Sequence, residues 1–499
     1  MLNIVLDNDV VLDLLSLSKN DTQHTFARLQ KSPIHFWVSC CVSSLLETQI
    51  NTAHHKPLTA LFDGNNVQWL SSLAAHWSEI PANCPNKIQA LMSLDAATLP
   101  GMTIIWSNNL DFTSVLPDIE WGDHEFVYGM LAQYEDETSF ADLTSQQLLQ
   151  RPMLEKYLFN VLKHGQYVGG PEIEELESEL AAYVDAKHCV TVASGTDALL
   201  VALMAIGVKH GDEIITSPFN FIASAEMIAL LGAKPVFADI DPNTYTLNPF
   251  LLKSATKFKT KAIVAANVFG QCADFFAINK IANQYDLPVI EDATQSFGAS
   301  YHNRKSGILS AISCTSFYPS QPLGAYGEAG ACFTNDDVLA NMMRQIRHHG
   351  QNKRYHHQHI GISSRLNTIQ ASLLLAKLKH FPEDLEARLQ VAETYNRLLE
   401  GHVKTPVVVS HNTSVYSQYT IEVNHRNEVQ QQLQKQGITT MIHYPIPIHL
   451  QPVFASFDQS EGSFPVAEAV ARRVLSLPIH SYLSEEKQTE IVDALISVL

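Results

Sequence analysis

The stretch His188-Cys189-Val190-Thr191-Val192-Ala193-Ser194-Gly195-Thr196-Asp197-Ala198-Leu199-Leu200 decides the fold class of this chain. A β-branched apolar run ends in a glycine turn and passes at once into an apolar helical pattern continuing through Leu203 and Met204. Strand, turn and helix start in that order present backbone amides at a helix N-terminus, where the helix dipole favours an anion such as a phosphate. Alone, the motif is weak, because many α/β proteins carry such turns as ordinary connections.

Working outward, stretches built on short apolar runs recur at residues 212–221, 235–241, 262–271 and 287–296, with helical segments between them. That alternation predicts a mainly parallel sheet with crossover helices. Sites in such sheets lie beyond the carboxyl ends of strands, and Asp292 stands at one. Upstream, Pro171 is a good first helical residue, and Ile173, Leu176, Leu180 and Tyr183 follow at helical spacing. From residue 376 the strand–helix rhythm stops. A long helix around 383–399, a few strands and a final helix after Ser484 predict a small α+β lobe.

The chain has 499 residues, more than one core usually organises, so several domains are expected. Its net charge of −18 argues against a general nucleic-acid partner and against an anionic membrane surface. No apolar run reaches spanning length, and the first residues carry Asp7 and Asp9 with no basic stretch, unlike a signal peptide. Seven scattered cysteines without a C-x-x-C pair read as reduced thiols, consistent with a cytoplasmic location.

Residues 1–112 alternate strand-like and helix-like patterns and predict a separate small α/β domain. The segment weakly resembles a PIN domain. The resemblance would make Asp7, Glu47 and Asp95 metal-binding acids, yet Asn108 and Asn109 stand where an acid is common. Carboxylate clusters are needed to hold Mg²⁺, so a non-catalytic domain is expected here. Residues 113–139 are acidic and broken, and are expected to be a linker.

Residues 140–499 resemble the DegT/DnrJ sugar aminotransferases of pyridoxal-phosphate fold type I. The resemblance is carried jointly by Gly169-Gly170-Pro171-Glu172, Ser194-Gly195-Thr196-Asp197-Ala198, Pro218-Phe219-Asn220-Phe221, Glu291-Asp292-Ala293-Thr294-Gln295, Cys314-Thr315-Ser316-Phe317-Tyr318-Pro319-Ser320-Gln321, Arg347-His348-His349-Gly350, Ser364-Arg365-Leu366 and His443-Tyr444-Pro445 with His449-Leu450-Gln451-Pro452. It implies a cofactor-binding large domain at 140–375 and a small C-terminal domain at 376–499. It also implies pyridoxal 5′-phosphate as cofactor, glutamate as amino donor, a keto or aldehyde sugar as acceptor, and a homodimer with its active site at the subunit interface. Residue by residue, Asp292 would pair with the pyridinium nitrogen and Gln295 with the phenolate oxygen. Gly195, Thr196 and Ser316 would hold the phosphate, Phe221 would stack on the ring, and Ser224 replaces a usual threonine. Ser363 stands where an asparagine often reaches the partner's cofactor. Gly170, Tyr318, His443 and His449 would approach the sugar. The run His348, His349, His356, His357, His359 lacks accompanying cysteines or carboxylates at ligand spacing, so a loop near the active site is expected and no metal.

The resemblance fails at one position. Gln321 stands where a lysine should join the cofactor as an imine and then act as the general base. A carboxamide nitrogen is neither basic nor able to form an imine, so this chain is expected to be inactive as a transaminase. Three explanations are open: a deliberate substitution that lets a cofactor–amino-sugar imine persist, a dehydratase (although in those relatives the replacement is a basic histidine), or a non-catalytic sugar sensor. The first is favoured, because the other cofactor residues are intact. Nucleotide-linked keto-hexoses, or the 8-oxo form of Kdo, for lipopolysaccharide or other surface glycans, are the expected substrates.

Overall fold

Asp292 ends a four-residue strand, Val289–Asp292, that is buried along its whole length in a seven-stranded sheet. The computed structural model describes residues 2–6, 35–39, 67–70, 102–106, 120–122, 140–457 and 459–499. These fall into two units: Met1–Asp136 with Thr144–Met153, and Glu137–Leu143 with Leu154–Leu499.

Within residues 1–136 of the first unit the described elements are five strands, β1 (Leu2–Leu6), β2 (His35–Ser39), β3 (Val67–Leu70), β4 (Met102–Trp106) and β5 (Glu120–Gly122). They form one parallel sheet in the order β3-β2-β1-β4-β5. Asp7, Glu47, Asp95, Asn108 and Asn109 lie outside the described residues. Glu120–Gly122, within the expected linker, pairs with Ile104–Trp106.

The second unit is built on the strand–turn–helix motif of residues 188–200. Strand β6 (His188–Val192) runs through Ser194 into helix α1 (Gly195–Ala205). The sheet continues with β7 (Glu213–Thr216), β8 (Lys234–Phe237), β9 (Thr260–Ala266), β10 (Val289–Asp292), β11 (Ile312–Ser316) and β12 (Gly330–Thr334). Their order is β6-β12-β11-β10-β9-β7-β8. All neighbours are parallel except that β12 runs against both β6 and β11, so the sheet is mixed and mostly parallel. The central strands are buried on both faces, which is why they read as continuous apolar runs without alternation. On one face Val190, Val192, Leu199, Leu203, Val264, Ile290 and Ile312 form a single core. At about 25 cal/mol per Å² of apolar area removed from water, such packing is the main term holding the strand ends in place.

The C-terminal part packs helices α2 (Phe381–Leu398) and α3 (Glu485–Ile496) on an antiparallel pair, β13 (Tyr419–Glu422) and β14 (Val474–Leu477). Tyr395, Tyr419, Ile421, Leu475 and Ile491 fill that second core. The four described cysteines, Cys189, Cys272, Cys314 and Cys332, are buried free thiols. No described helix is long and apolar enough to cross a membrane.

Candidate active site

The strand register assembles the site. Asp292 pairs with Ala266 on one side and Cys314 on the other. Two residues past Cys314, Ser316 pairs with Gly330, and Gly330 pairs with Val192 at the mouth of the β6–α1 turn. The carboxylate and the helix start thus share one sheet edge. They open into a cleft of about 540 Å³ lined by residues of the second unit.

Asp292 is a fixed acceptor. It is 6% exposed, so its charge must be compensated locally. Its Oδ2 accepts from Asn220 Nδ2 and from Ser224 Oγ, both at 3.1 Å, and its Oδ1 accepts from the Thr294 amide at 3.2 Å. Three donors hold the carboxylate in one orientation and keep it an acceptor toward the cleft. Gln295 is held as firmly: its Oε1 accepts from the Phe269 amide at 2.8 Å, and its Nε2 donates to the Tyr444 hydroxyl at 3.0 Å. A carboxamide nitrogen carries two N–H groups, so one remains for a ligand.

The opposite end suits an anion. Ser194 caps α1, its Oγ accepting from the Asp197 amide at 3.0 Å. The Gly195 and Thr196 amides come before Ala198, the first amide to donate within the helix (to Ser194 O, 3.0 Å), and both residues line the cleft at the positive end of the dipole. Gly195 must be glycine because a Cβ there would lie 2.4 Å from Ser316 Cβ. Phe221 is 55% exposed at the cleft wall, an apolar ring face awaiting a partner.

The loop that carries Gln321 is held by its own backbone. Gln321 closes a turn through its amide to Tyr318 O at 2.9 Å, and Ser316 Oγ accepts from the Tyr318 amide at 3.2 Å. From behind, Gln370 Oε1 accepts from the Tyr326 amide at 2.8 Å, while buried Lys377 donates to Gly324 O and lies 4.9 Å over the Tyr326 ring. Burial lowers the Lys377 pKa to about 8, but its amine is committed to that carbonyl and does not line the cleft. Gln321 does line the cleft, and its Oε1 is buried with no hydrogen-bond partner.

The structure brings together Gly195, Thr196, Phe221, Asp292, Gln295, Ser316, Tyr318, Gln321 and His443. Ser224 stands behind Asp292. His443 Nδ1 is 2.9 Å from Ser476 Oγ, and burial lowers its pKa to about 4. His449 is placed elsewhere: its ring is fully buried, 3.1 Å from Glu468 and packed on Phe464. Gly170 is buried, its amide donating to Thr368 Oγ1, and Ser363 is exposed; neither lines this cleft. Unanticipated polar lining residues are Asn220, Thr294, Ser320, Glu328, Gln418 and Tyr444, with apolar Leu199 and Ala223 beside them. Asn220, Thr294, Ser320 and Tyr444 sit in motifs already quoted, each next to or near a residue given a role. No group of three or more metal-ligating side chains occurs among the described residues.

Pyridoxal phosphate fits these residues in everything but attachment. Free amides at a helix start, a pinned buried carboxylate, a spare amide N–H and an exposed aromatic face are all present, and only the amine is missing.

The chain resembles known proteins over the same region. It is 50% identical over 345 residues to the UDP-2-acetamido-2-deoxy-3-oxo-D-glucuronate aminotransferase of Pseudomonas aeruginosa, covering 69% of this chain and 95% of that protein. It is 44% identical to a pleiotropic regulatory protein of Geobacillus stearothermophilus, covering 70% and 96%. The crystal structure of S. venezuelae DesV in complex with a ketimine intermediate superposes with a TM-score of 0.71 at 35% identity, covering 72% and 98%. The family model of the DegT/DnrJ/EryC1/StrS aminotransferases matches residues 151–496, and the chain belongs to that family, whose cofactor is pyridoxal 5′-phosphate.

Proposed function

We propose that the second unit is a site for amino transfer from glutamate to a keto carbon of a nucleotide-linked sugar in surface-glycan synthesis, and that Gln321 leaves this chain binding its ligands without turning them over. The observation that carries this is the position of Gln321 in the same cleft as Asp292, Gln295 and the α1 start. The P. aeruginosa relative favours a UDP-linked 3-oxo hexose over the free octulosonate.

When bound, pyridoxal phosphate supplies the electron sink for proton movement at the amino-bearing carbon. The chain's part is to hold and protonate. Asp292 would keep the ring nitrogen charged, Gln295 would donate its spare N–H to the ring oxygen, and Gly195, Thr196 and Ser316 would hold the phosphate. Proton transfer needs a base at position 321, and a carboxamide is none. His443 is neutral at pH 7 but too weakly basic to replace an amine. A homodimer belongs to the same proposal, because exposed Ser363 then has a role only at a second copy's cleft.

The test is Gln321→Lys protein with pyridoxal phosphate, glutamate and a UDP-linked 3-oxo sugar. The expected product is 2-oxoglutarate with stoichiometric amino sugar, and none from the unaltered chain. Loss of water from the sugar instead would replace this reading with a dehydratase.

A further inference from the structure

We propose that the edge of the second unit's sheet opposite the cleft docks on an anionic phospholipid surface, with Phe258 as the residue that enters the headgroup layer. The proposal does not depend on the residue at position 321.

The first observation is where the register gathers charge. β7, β8 and β9 are parallel, so their first residues share one edge: Glu213 pairs with Lys234 on one side and with Thr260 on the other. Asp292 ends β10, which is parallel to β9, so the cleft belongs to the opposite edge. The segments that lead into and begin the three strands, 207–213, 231–234 and 253–261, hold six lysines (Lys209, Lys234, Lys253, Lys257, Lys259 and Lys261) against two acids, Asp212 and Glu213. Five of the six are exposed, and Lys261 is half-buried. The segments touch: the Glu213 amide donates to Lys259 O at 2.9 Å, and the Lys234 amide donates to Asp212 O at 2.8 Å. Among the described residues the lysines in ion pairs are Lys187, Lys404 and Lys487, so these six keep their charge for a partner.

The second observation is apolar. Phe258 stands between Lys257 and Lys259 and is 105% exposed, and Phe250 on the approach to the same segment is 89% exposed. A phenyl ring held wholly in water gains by leaving it. Rings flanked by lysines are the composition of an interfacial anchor: the ring enters the headgroup layer and the ammonium groups meet the lipid phosphates. An acidic protein or a nucleic acid would satisfy the lysines, but Phe258 stands out from the surface and lines no groove in which a peptide or a strand could lie. A lipid surface takes both the charge and the ring. The net charge of −18 opposes such a surface at long range. Screening over about 8 Å at physiological salt confines that repulsion, so at contact the local lysines outweigh it.

The test is co-sedimentation of the full chain with vesicles of phosphatidylcholine alone and of phosphatidylcholine with about one third phosphatidylglycerol, at about 0.1 M salt. The expected result is a partition onto the anionic vesicles about tenfold or more above that onto the neutral ones. Lys257→Glu combined with Lys259→Glu should abolish that excess, and Phe258→Ser should lower the anionic partition by about fivefold or more. Both changes fall on exposed side chains, and an unchanged far-UV circular dichroism spectrum shows that each variant is folded. No excess on the anionic vesicles overturns the inference, as does an excess that survives either change. The unaltered chain and the variants are also titrated with single-stranded DNA and with poly-glutamate. Binding of either that is lost with the two lysine changes, in the absence of a vesicle excess, overturns the inference in favour of that partner.

Discussion

The two walls of the cleft differ in how completely they are bonded. On the sheet wall, Asp292 accepts three hydrogen bonds and Gln295 uses its oxygen and one N–H, so every group is held before any ligand arrives. On the loop wall, the backbone is equally fixed, yet the side chain of Gln321 ends in an oxygen with no partner. Under the proposed function the sheet wall would recognise and the loop wall would react, so binding and turnover would be carried by different elements.

The largest expected effect attacks the difference directly. Gln321→Lys supplies the missing base and nucleophile, and 2-oxoglutarate formation should rise by at least about 10³-fold over the unaltered chain. Next is Asp292→Asn in that background, which removes the charge that, under the proposed function, would keep the ring nitrogen protonated. The rate should fall by about 10²-fold or more while the thermal midpoint of the cofactor-free protein changes little. Gly195→Ala comes third: with Ser316 Cβ only 2.4 Å from the new methyl, cofactor affinity should drop by about tenfold or more in a titration. Ser224→Ala removes one of three donors to Asp292, at about 1 kcal/mol, and should weaken cofactor binding by about fivefold.

The smallest effect concerns pH. His443 has its folded pKa depressed to about 4 from an ordinary value near 6.5. Between those values the unfolded chain binds a proton that the native chain refuses, so stability falls as pH drops from 6.5 towards 4. Between pH 7.5 and pH 5 this amounts to about 1 to 2 kcal/mol. His443→Gln should remove that portion of the difference in urea midpoints and leave the part due to His480, whose pKa burial lowers similarly. An unchanged difference would mean that His443 is wetter than its packing against Phe140 indicates.

Much of the bonded wall was legible in sequence. The strand-end position of Asp292, the Ser194-Gly195 turn and the helix that follows it are local, and local chemistry dictates them. The antiparallel β12 was not, because nothing within Gly330–Thr334 states which neighbour it pairs with. His449 shows the limit most clearly. Its motif neighbours His443, but whether a loop histidine faces a ligand or a core depends on distant partners, here Glu468 and Phe464. Tyr444 was hidden for the converse reason: its role depends on reaching Gln295, 149 residues away.

The backing of the reactive loop has a wider consequence. Gln370 and Lys377 grip Tyr326 and Gly324 through main-chain atoms, and the Gln321 turn closes through its own amide. None of these contacts uses the side chain at position 321. That position is a socket: the scaffold around it stands whatever is plugged in. The residue there can be exchanged without rebuilding the protein around it.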